Sequence, residues 1–441
     1  MNNKVRVAAA LAALAMVSGC GIFKGGGKKT PVLGERVPIL VSESDIAADK
    51  GLAAVDVLLP EAAANDGWRQ PGGNAAKSMG HLALGASPTR IWSKDVAKPS
   101  KKERLAASPV VSENKLFVID TDGVVHAMAA DTGAELWRAS TAKEDEGNKT
   151  ARFGGGVSVE GERAFASNGL GDVVALNVAD GAVVWRKRPG GPLRGAPTLA
   201  NGNAYVVTQD NQLFALAQDT GEISWTVSAS LESQGVFGVA APASALGTVV
   251  AGFSSGELNA YRYENGRSLW DVVLSRTSMS TSVSSLSDID AEPVIDQGRV
   301  YAIGQGGRMV AMDMASGNPL WEQTIAGIST PWAAGEWLFV VTDDARLLAI
   351  ARGTGKIRWI SQLRHYENEK KSKNPISWVG PVLAGGRLIL GNSRGEIVFA
   401  SPTDGSVTGT MDVKESISLP LVVANNTLYV LDDKGRLSAY R

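Results

Sequence analysis

The sequence predicts an all-β fold, an eight-bladed β-propeller of four-stranded antiparallel blades whose ring is closed by an N-terminal strand. Three observations predict it: a phrase that recurs along the chain, an opening that precedes each copy, and a final unit that stops short while a spare strand lies upstream. The phrase is Ala followed by Leu or Met, a turn ending in Gly, and a Trp. It runs from Ala127-Met128 through Thr132-Gly133 to Trp137, and later copies end at Trp185, Trp225, Trp270, Trp321 and Trp359. A weaker copy from Ala400 to Gly405 places Met411 where Trp is expected. The steps between tryptophans are 48, 40, 45, 51 and 38 residues, so the loops vary while the unit persists. A period of about 40–50 residues with several short strands per unit is that of a propeller blade.

Each unit opens on a small residue, Pro and apolar residues. Examples are Ser108-Pro109-Val110-Val111, Ala196-Pro197-Thr198-Leu199, Glu292-Pro293-Val294-Ile295 and Gly380-Pro381-Val382-Leu383, while the unit at Gly155-Gly156-Val157 lacks the Pro. Pro at the mouth of a strand withholds a donor where the ladder begins and costs little there. The second strand alternates, as in Lys115-Leu116-Phe117-Val118-Ile119, and turn residues such as Asp122-Gly123, Asp210-Asn211 and Lys434-Gly435 reverse the chain. The Gly before each Trp strand predicts a positive φ that a Cβ would penalise. A Trp repeated in every unit reads as a packing device over the seam between neighbouring blades rather than as a ligand box, because a local site is not built once per blade.

The last unit, Asp432 to Arg441, reaches its Ala-Tyr position and stops without a Trp strand. Thr89-Arg90-Ile91-Trp92-Ser93-Lys94-Asp95-Val96 supplies one from upstream, so both chain ends share a sheet and no edge is left open. Blade-docking positions are therefore Trp92, Trp137, Trp185, Trp225, Trp270, Trp321 and Trp359, with Met411 as the eighth.

The N-terminus has its own organisation. Lys4 and Arg6 precede an apolar run from Ala8 to Val17, of leader-peptide rather than membrane-spanning length, which ends in Val17-Ser18-Gly19-Cys20. Small residues ahead of the chain's single Cys resemble a bacterial lipobox. Residues 1–19 are thus expected to be a lipoprotein signal peptide, and Cys20 the acylated residue that anchors the chain in a membrane. Gly21 after it, rather than Asp, favours the outer membrane. Residues 20–88 read as a tether, flexible at Gly25-Gly26-Gly27-Lys28-Lys29, with Asp56 to Pro60 and Asn65 to Gly73 as segments suited to lie against the propeller. Residues 89–441 form the propeller.

The composition bounds function. The chain has 441 residues, 44% of them apolar, 50 Gly and a formal net charge of −1, so no bulk electrostatic case exists for nucleic acid. His81, His126 and His365 show no metal-ligand spacing. Gly391-Asn392-Ser393-Arg394-Gly395 matches a nucleophile-elbow pattern but falls between two propeller strands rather than at a strand-to-helix turn. Lys370-Lys371-Ser372-Lys373 reads as a solvated loop. No enzyme activity and no cofactor are expected.

The repeat resembles the tryptophan-docked blade of the quinoprotein (PQQ) dehydrogenase superfamily, which implies eight blades with a quinone and Ca²⁺ over the channel. The vicinal Cys pair often found beside that quinone is missing, because Cys20 is the only Cys. A closer resemblance is to the propeller lipoproteins of the outer-membrane β-barrel assembly (Bam) machinery. It covers the lipobox, Trp68-Arg69-Gln70-Pro71-Gly72-Gly73 and all the repeats, and is most specific at Leu286-Ser287-Asp288-Ile289-Asp290 followed by Pro293. The resemblance implies a non-enzymatic scaffold, lipid-anchored in the outer membrane and facing the periplasm. Its implied partners are a POTRA domain of the barrel-forming subunit and unfolded outer-membrane protein clients. It also implies that the Asp288-Ile289-Asp290 loop contacts that POTRA domain. The preceding interblade loop, Ser233 to Ala240, supplies the other half of the contact, with Val236 and Phe237 where some relatives carry Leu and Arg. The alternatives are a quinone-dependent dehydrogenase and a ligand-sensing propeller.

Loop lengths point to the same place. The link from Trp270 to Pro293 is 23 residues, against 10 from Trp321 to Pro331 and 12 from Trp185 to Pro197. Long loops on a rigid wheel are where binding surfaces reside. Two readings of Asp288 and Asp290 follow: ion pairs with a partner around Ile289, or turn caps beside Pro293. Phe237 is an anchor if exposed and core if buried.

Overall fold

The computed structural model describes residues 46–99, 104–142, 154–231, 238–274 and 288–441. Eight antiparallel blades form the ring. Blade 1 contains Val110–Ser112, Lys115–Ile119, Val124–Ala129 and Glu135–Ser140. Blades 2 to 7 begin at Gly155, Thr198, Ala243, Val294, Trp332 and Trp378. Blade 8 takes its first three strands from Val422–Ala424, Thr427–Leu431 and Arg436–Tyr440, and its fourth from Arg90–Asp95. Trp92 pairs there with Ala439, so the closing strand is where the split final unit predicts it.

The recurring phrase has a physical cause. In blade 1 the Ala of the phrase lies opposite the Trp (Ala127 with Trp137), and the register then slips before Met128 meets Glu135. The same pairing and slip recur at Ala215 with Trp225 and at Ala260 with Trp270. A small residue faces the large ring, and the bulge turns the strand. Each indole then crosses to the following blade. Trp137 Nε1 donates to the Val178 carbonyl at 3.0 Å, Trp270 Nε1 to Met314 at 2.8 Å, and Trp92 Nε1 to Ala130 at 3.1 Å. Its face lies on the turn glycine of that blade. A Cβ on Gly133 would come within 2.7 Å of Trp92, and one on Gly221 within 2.6 Å of Trp185, at φ of +66° and +71°. Gly is required there twice over, by the positive φ and by the indole.

This docking joins seven successive seams. At the eighth, from blade 7 to blade 8, the expectation of Met411 is corrected: Gly409 takes the tryptophan's place opposite Phe399, Met411 pairs with Ile397 instead, and blade 8 has no receiving glycine turn. The core is accordingly several apolar clusters, one large cluster spanning blades 6, 7, 8 and 1 and smaller ones between the remaining neighbours.

Antiparallel order gives the wheel two unlike faces. The turns between strands one and two and between strands three and four lie on one face, and the turns between strands two and three and the interblade loops lie on the other. First strands of neighbouring blades contact one another around the hub.

The described part of the expected tether lies on the first of these faces, including the Asn65 to Gly73 segment read as suited to lie against the propeller. Gly67 and Trp68 pair with Ser112 and Val111 of blade 1, making that sheet five-stranded. Trp68 is 3% exposed and stacks on Trp332 with centroids 6.0 Å apart. Asp49 N–H donates to the Ile357 carbonyl on the outer strand of blade 6 at 2.7 Å. The boundary at residue 89 therefore separates sequence patterns, while residues 46–88 pack as part of the same folded unit.

Candidate partner-binding site

The interblade loops of the second face hold the candidate site. Asp288 and Ile289 follow residues outside the described set and enter blade 5. Ile289 is fully buried, wedged over Gly252 of blade 4, where a Cβ would come within 2.9 Å of Ile289 Cβ. Asp288 is 2% exposed. The expected exposed apolar contact flanked by two accessible carboxylates is corrected accordingly: Ile289 is core, because it fills the wedge between blades 4 and 5, and Asp288 is a buried ion-pair partner. Asp290 alone of the three reaches toward solvent, with its side chain 13% exposed.

The partner that holds them is Arg194, a residue the sequence reading passed over. Its guanidinium Nη2 donates to Asp288 Oδ1 at 2.7 Å and to Asp290 Oδ1 at 3.4 Å. Its Nε donates to the Gly238 carbonyl at 3.3 Å. Gln305 Nε2 donates to Asp290 Oδ2 at 2.7 Å, and Gln305 N–H to the Asp288 carbonyl at 3.1 Å. A Cβ on Gly238 would collide with Arg194 Nη2 and Asp290 Oδ1. One arginine from the loop between blades 2 and 3 thus ties the stem of the loop ahead of blade 4 to the stem of the loop ahead of blade 5. Val236 and Phe237 lie outside the described residues, immediately before Gly238, as does Cys20.

Charge is concentrated here in a dry setting. Burial first, and then the neighbouring Asp288 carboxylate, push Asp290 up to about 6, against the pull of Arg194. Arg194 Nη1 and Asp288 Oδ2 are buried without a hydrogen-bond partner among the described residues. Two carboxylates around one guanidinium hold a loop geometry; nothing in the arrangement positions a nucleophile.

The remaining candidates stand apart. His126 bonds Asp120 Oδ2 at 2.9 Å in blade 1, His81 accepts from Gly386 N–H at 2.8 Å, and His365 stacks on Tyr366. Among the described residues no group of three or more His, Cys, Asp and Glu is placed to hold a metal ion. Ser393 lies in a turn between two strands of blade 7, as its sequence context predicts. Lys370, Lys371 and Lys373 sit exposed on a small hairpin between blades 6 and 7. No repeat signalled Arg194: three residues before the opening Pro, blade 1 has Ala106, blade 4 Val239 and blade 5 Asp290.

Known proteins place this geometry in context. The chain is 28% identical over 360 residues to the outer membrane protein assembly factor BamB of Yersinia pestis, covering 80% of this chain and 89% of that protein. The crystal structure of BamB from Moraxella catarrhalis superposes with a TM-score of 0.64 at 18% identity, covering 81% of this chain and 98% of that one. The quinohemoprotein alcohol dehydrogenase of Comamonas testosteroni superposes with a TM-score of 0.65 at 13% identity, covering 86% and 81%, a likeness of fold alone. The family model described as outer membrane protein assembly factor BamB matches residues 121–361, more than half of the sequence, and the chain belongs to that family.

Proposed function

We propose that this chain is a non-enzymatic scaffold lipoprotein of the outer-membrane β-barrel assembly machinery, anchored through Cys20 and facing the periplasm. Its loop-bearing face docks a POTRA domain of the barrel-forming subunit and thereby assists insertion of β-barrel proteins. The observation that carries the reading is the convergence of two sequence-distant interblade loops on Arg194, which presents them as one surface. On that surface Asp290 supplies the accessible charge, Val236 and Phe237 the apolar contact, and Asp288 and Ile289 the foundation. A few central residues inside a rigid surround are how a hot spot is built. Unfolded clients are further partners of the same scaffold.

The test is co-purification from gently solubilised envelopes. The Phe237→Asp and Asp290→Asn double variant, which keeps the Arg194–Asp288 ion pair, should lose a POTRA-bearing barrel protein while remaining folded by circular dichroism. Retention of that partner by the folded double variant defeats this assignment of the surface.

A further inference from the structure

The segment ahead of the propeller makes one complete lap of the hub. Asn65 bonds blade 8, its side chain donating to the Val423 carbonyl at 2.8 Å and its own carbonyl accepting from Asn425 N–H at 2.9 Å. Trp68 pairs in blade 1, and the Arg69 carbonyl accepts from Val159 N–H of blade 2. Gln70 then brackets Leu199 of blade 3, accepting from its N–H at 2.9 Å and donating to its carbonyl at 3.3 Å. The carbonyls of Ala75 and Ala76 accept from blades 4 and 5 at Ser244 and Ile295, each at 2.8 Å. Gly80 accepts from the Trp332 indole of blade 6 at 2.8 Å, and Leu82 exchanges backbone bonds with Leu383 and Gly385 of blade 7. The blades are visited in ring order. The lap then fastens to itself: Ala63 donates to the His81 carbonyl and accepts from Ala83 N–H, both at 2.8 Å.

Its interior is built rather than draped. Lys77 is 2% exposed yet sits at φ +63°, a conformation a non-glycine residue keeps only when its surroundings impose it. Its ammonium donates to the Pro71 carbonyl at 2.9 Å and to Thr198 Oγ1 at 3.2 Å. Glu292 stands across Gly72 from it, where a Cβ would come within 2.9 Å of both side chains. A segment leading into a domain is ordinarily loose unless tied down, and this one is tied at every blade.

We propose that the first-strand edges on this face form a peptide-binding site whose ligand is the chain's own Ala63–Ala83 segment, and that its occupancy latches the ring and seals one mouth of the channel. Closure by Arg90–Asp95 secures only blade 8. The lap secures all eight, including the seam that lacks a docking tryptophan. Opening the ring at that seam requires the lap's own fastening to part, because Ala63 at its blade 8 end is bonded to His81 and Ala83 at its blade 7 end.

The experiment uses the full-length chain with a protease site introduced at Ala86-Ser87-Pro88, cut only after folding, and also the uncut Trp68→Ala variant. Hydrogen exchange is followed strand by strand. A latch predicts that the cut segment co-elutes with the ring. It also predicts that Trp68→Ala speeds exchange of first strands around the whole ring, blades 3 and 4 included, by about tenfold or more. Release of the segment on cutting with exchange unchanged overturns the proposal. So does faster exchange confined to blades 1, 6 and 8, which lie next to Trp68.

Discussion

The two faces of the wheel are held by different forces. On the closed face the lap is fixed by backbone hydrogen bonds, a stacked Trp68–Trp332 pair and one buried lysine. On the loop-bearing face two loop stems are fixed by charge, with Arg194 between Asp288 and Asp290. Backbone bonding around a ring is distributed, so any single bond is worth about 0.5–1.5 kcal/mol. A buried charge cluster is concentrated, and loss of one member strands the others. The difference teaches that the closed face is suited to permanence, and the loop face to a geometry that one residue controls.

The largest expected effect tests that concentration. Arg194→Met should destabilise the protein by about 3–5 kcal/mol, because Asp288 and Asp290 are left buried together without their counter-ion. Denaturant unfolding reads it, and the further Asp288→Asn, Asp290→Asn substitutions on that background should restore most of the loss. If Arg194→Met costs no more than a surface substitution, the loop face is not charge-held and the contrast collapses.

A smaller effect separates the faces by pH. Asp290 is raised to about 6 from 3.8. The folded state therefore holds more protons than the unfolded one between those values. The stability this group gives is fully present below about 4 and is lost as pH rises through 6, by up to about 3 kcal/mol. Asp290→Asn should flatten that part of the stability profile while leaving the profile above pH 8 intact.

The smallest effect lies at the other end of the scale and belongs to the closed face. Burial lowers Lys77 from 10.5 to about 8, and Glu292 opposes the shift. Between those values the unfolded state binds more protons than the folded one, so this group's contribution rises with pH. A rise of about 1–2 kcal/mol is expected, reduced because Glu292 loses its counter-charge. The Lys77→Met, Glu292→Gln double variant should abolish it in thermal scans from pH 8 to 10.5.

The ring was legible in the sequence because its cause is periodic. Ala127 opposite Trp137 and Gly133 beneath Trp92 are steric requirements that each recur in seven of the eight blades, so they print themselves on the chain at a period. The split final blade was legible for the same reason, as an interruption of that period. The site was half legible. Loop length and the resemblance led to the proposed loops, but alternation could not tell that Ile289 points into the seam, since a loop has no period. Arg194 and Lys77 had no repeat to stand out from, and their meaning lies in partners about a hundred residues or more away. That Asn65 to Gly73 lies against the wheel was legible, but the lap's course round every blade was not, because backbone groups, which carry most of its bonds, leave no mark on composition.

The tryptophan that ends each repeat serves the next repeat, and the glycine that receives it serves the one before. A repeat cut at any point of the phrase thus carries both halves of a joint, one at each end. Duplicating or deleting a whole unit leaves every neighbouring joint compatible, so an ancestral array of such units could lengthen or shorten without redesign. Only the place where the two chain ends meet escapes that inheritance. There Gly409 stands where a tryptophan would, the blade beyond it has no glycine turn, and one joint of the ring is missing.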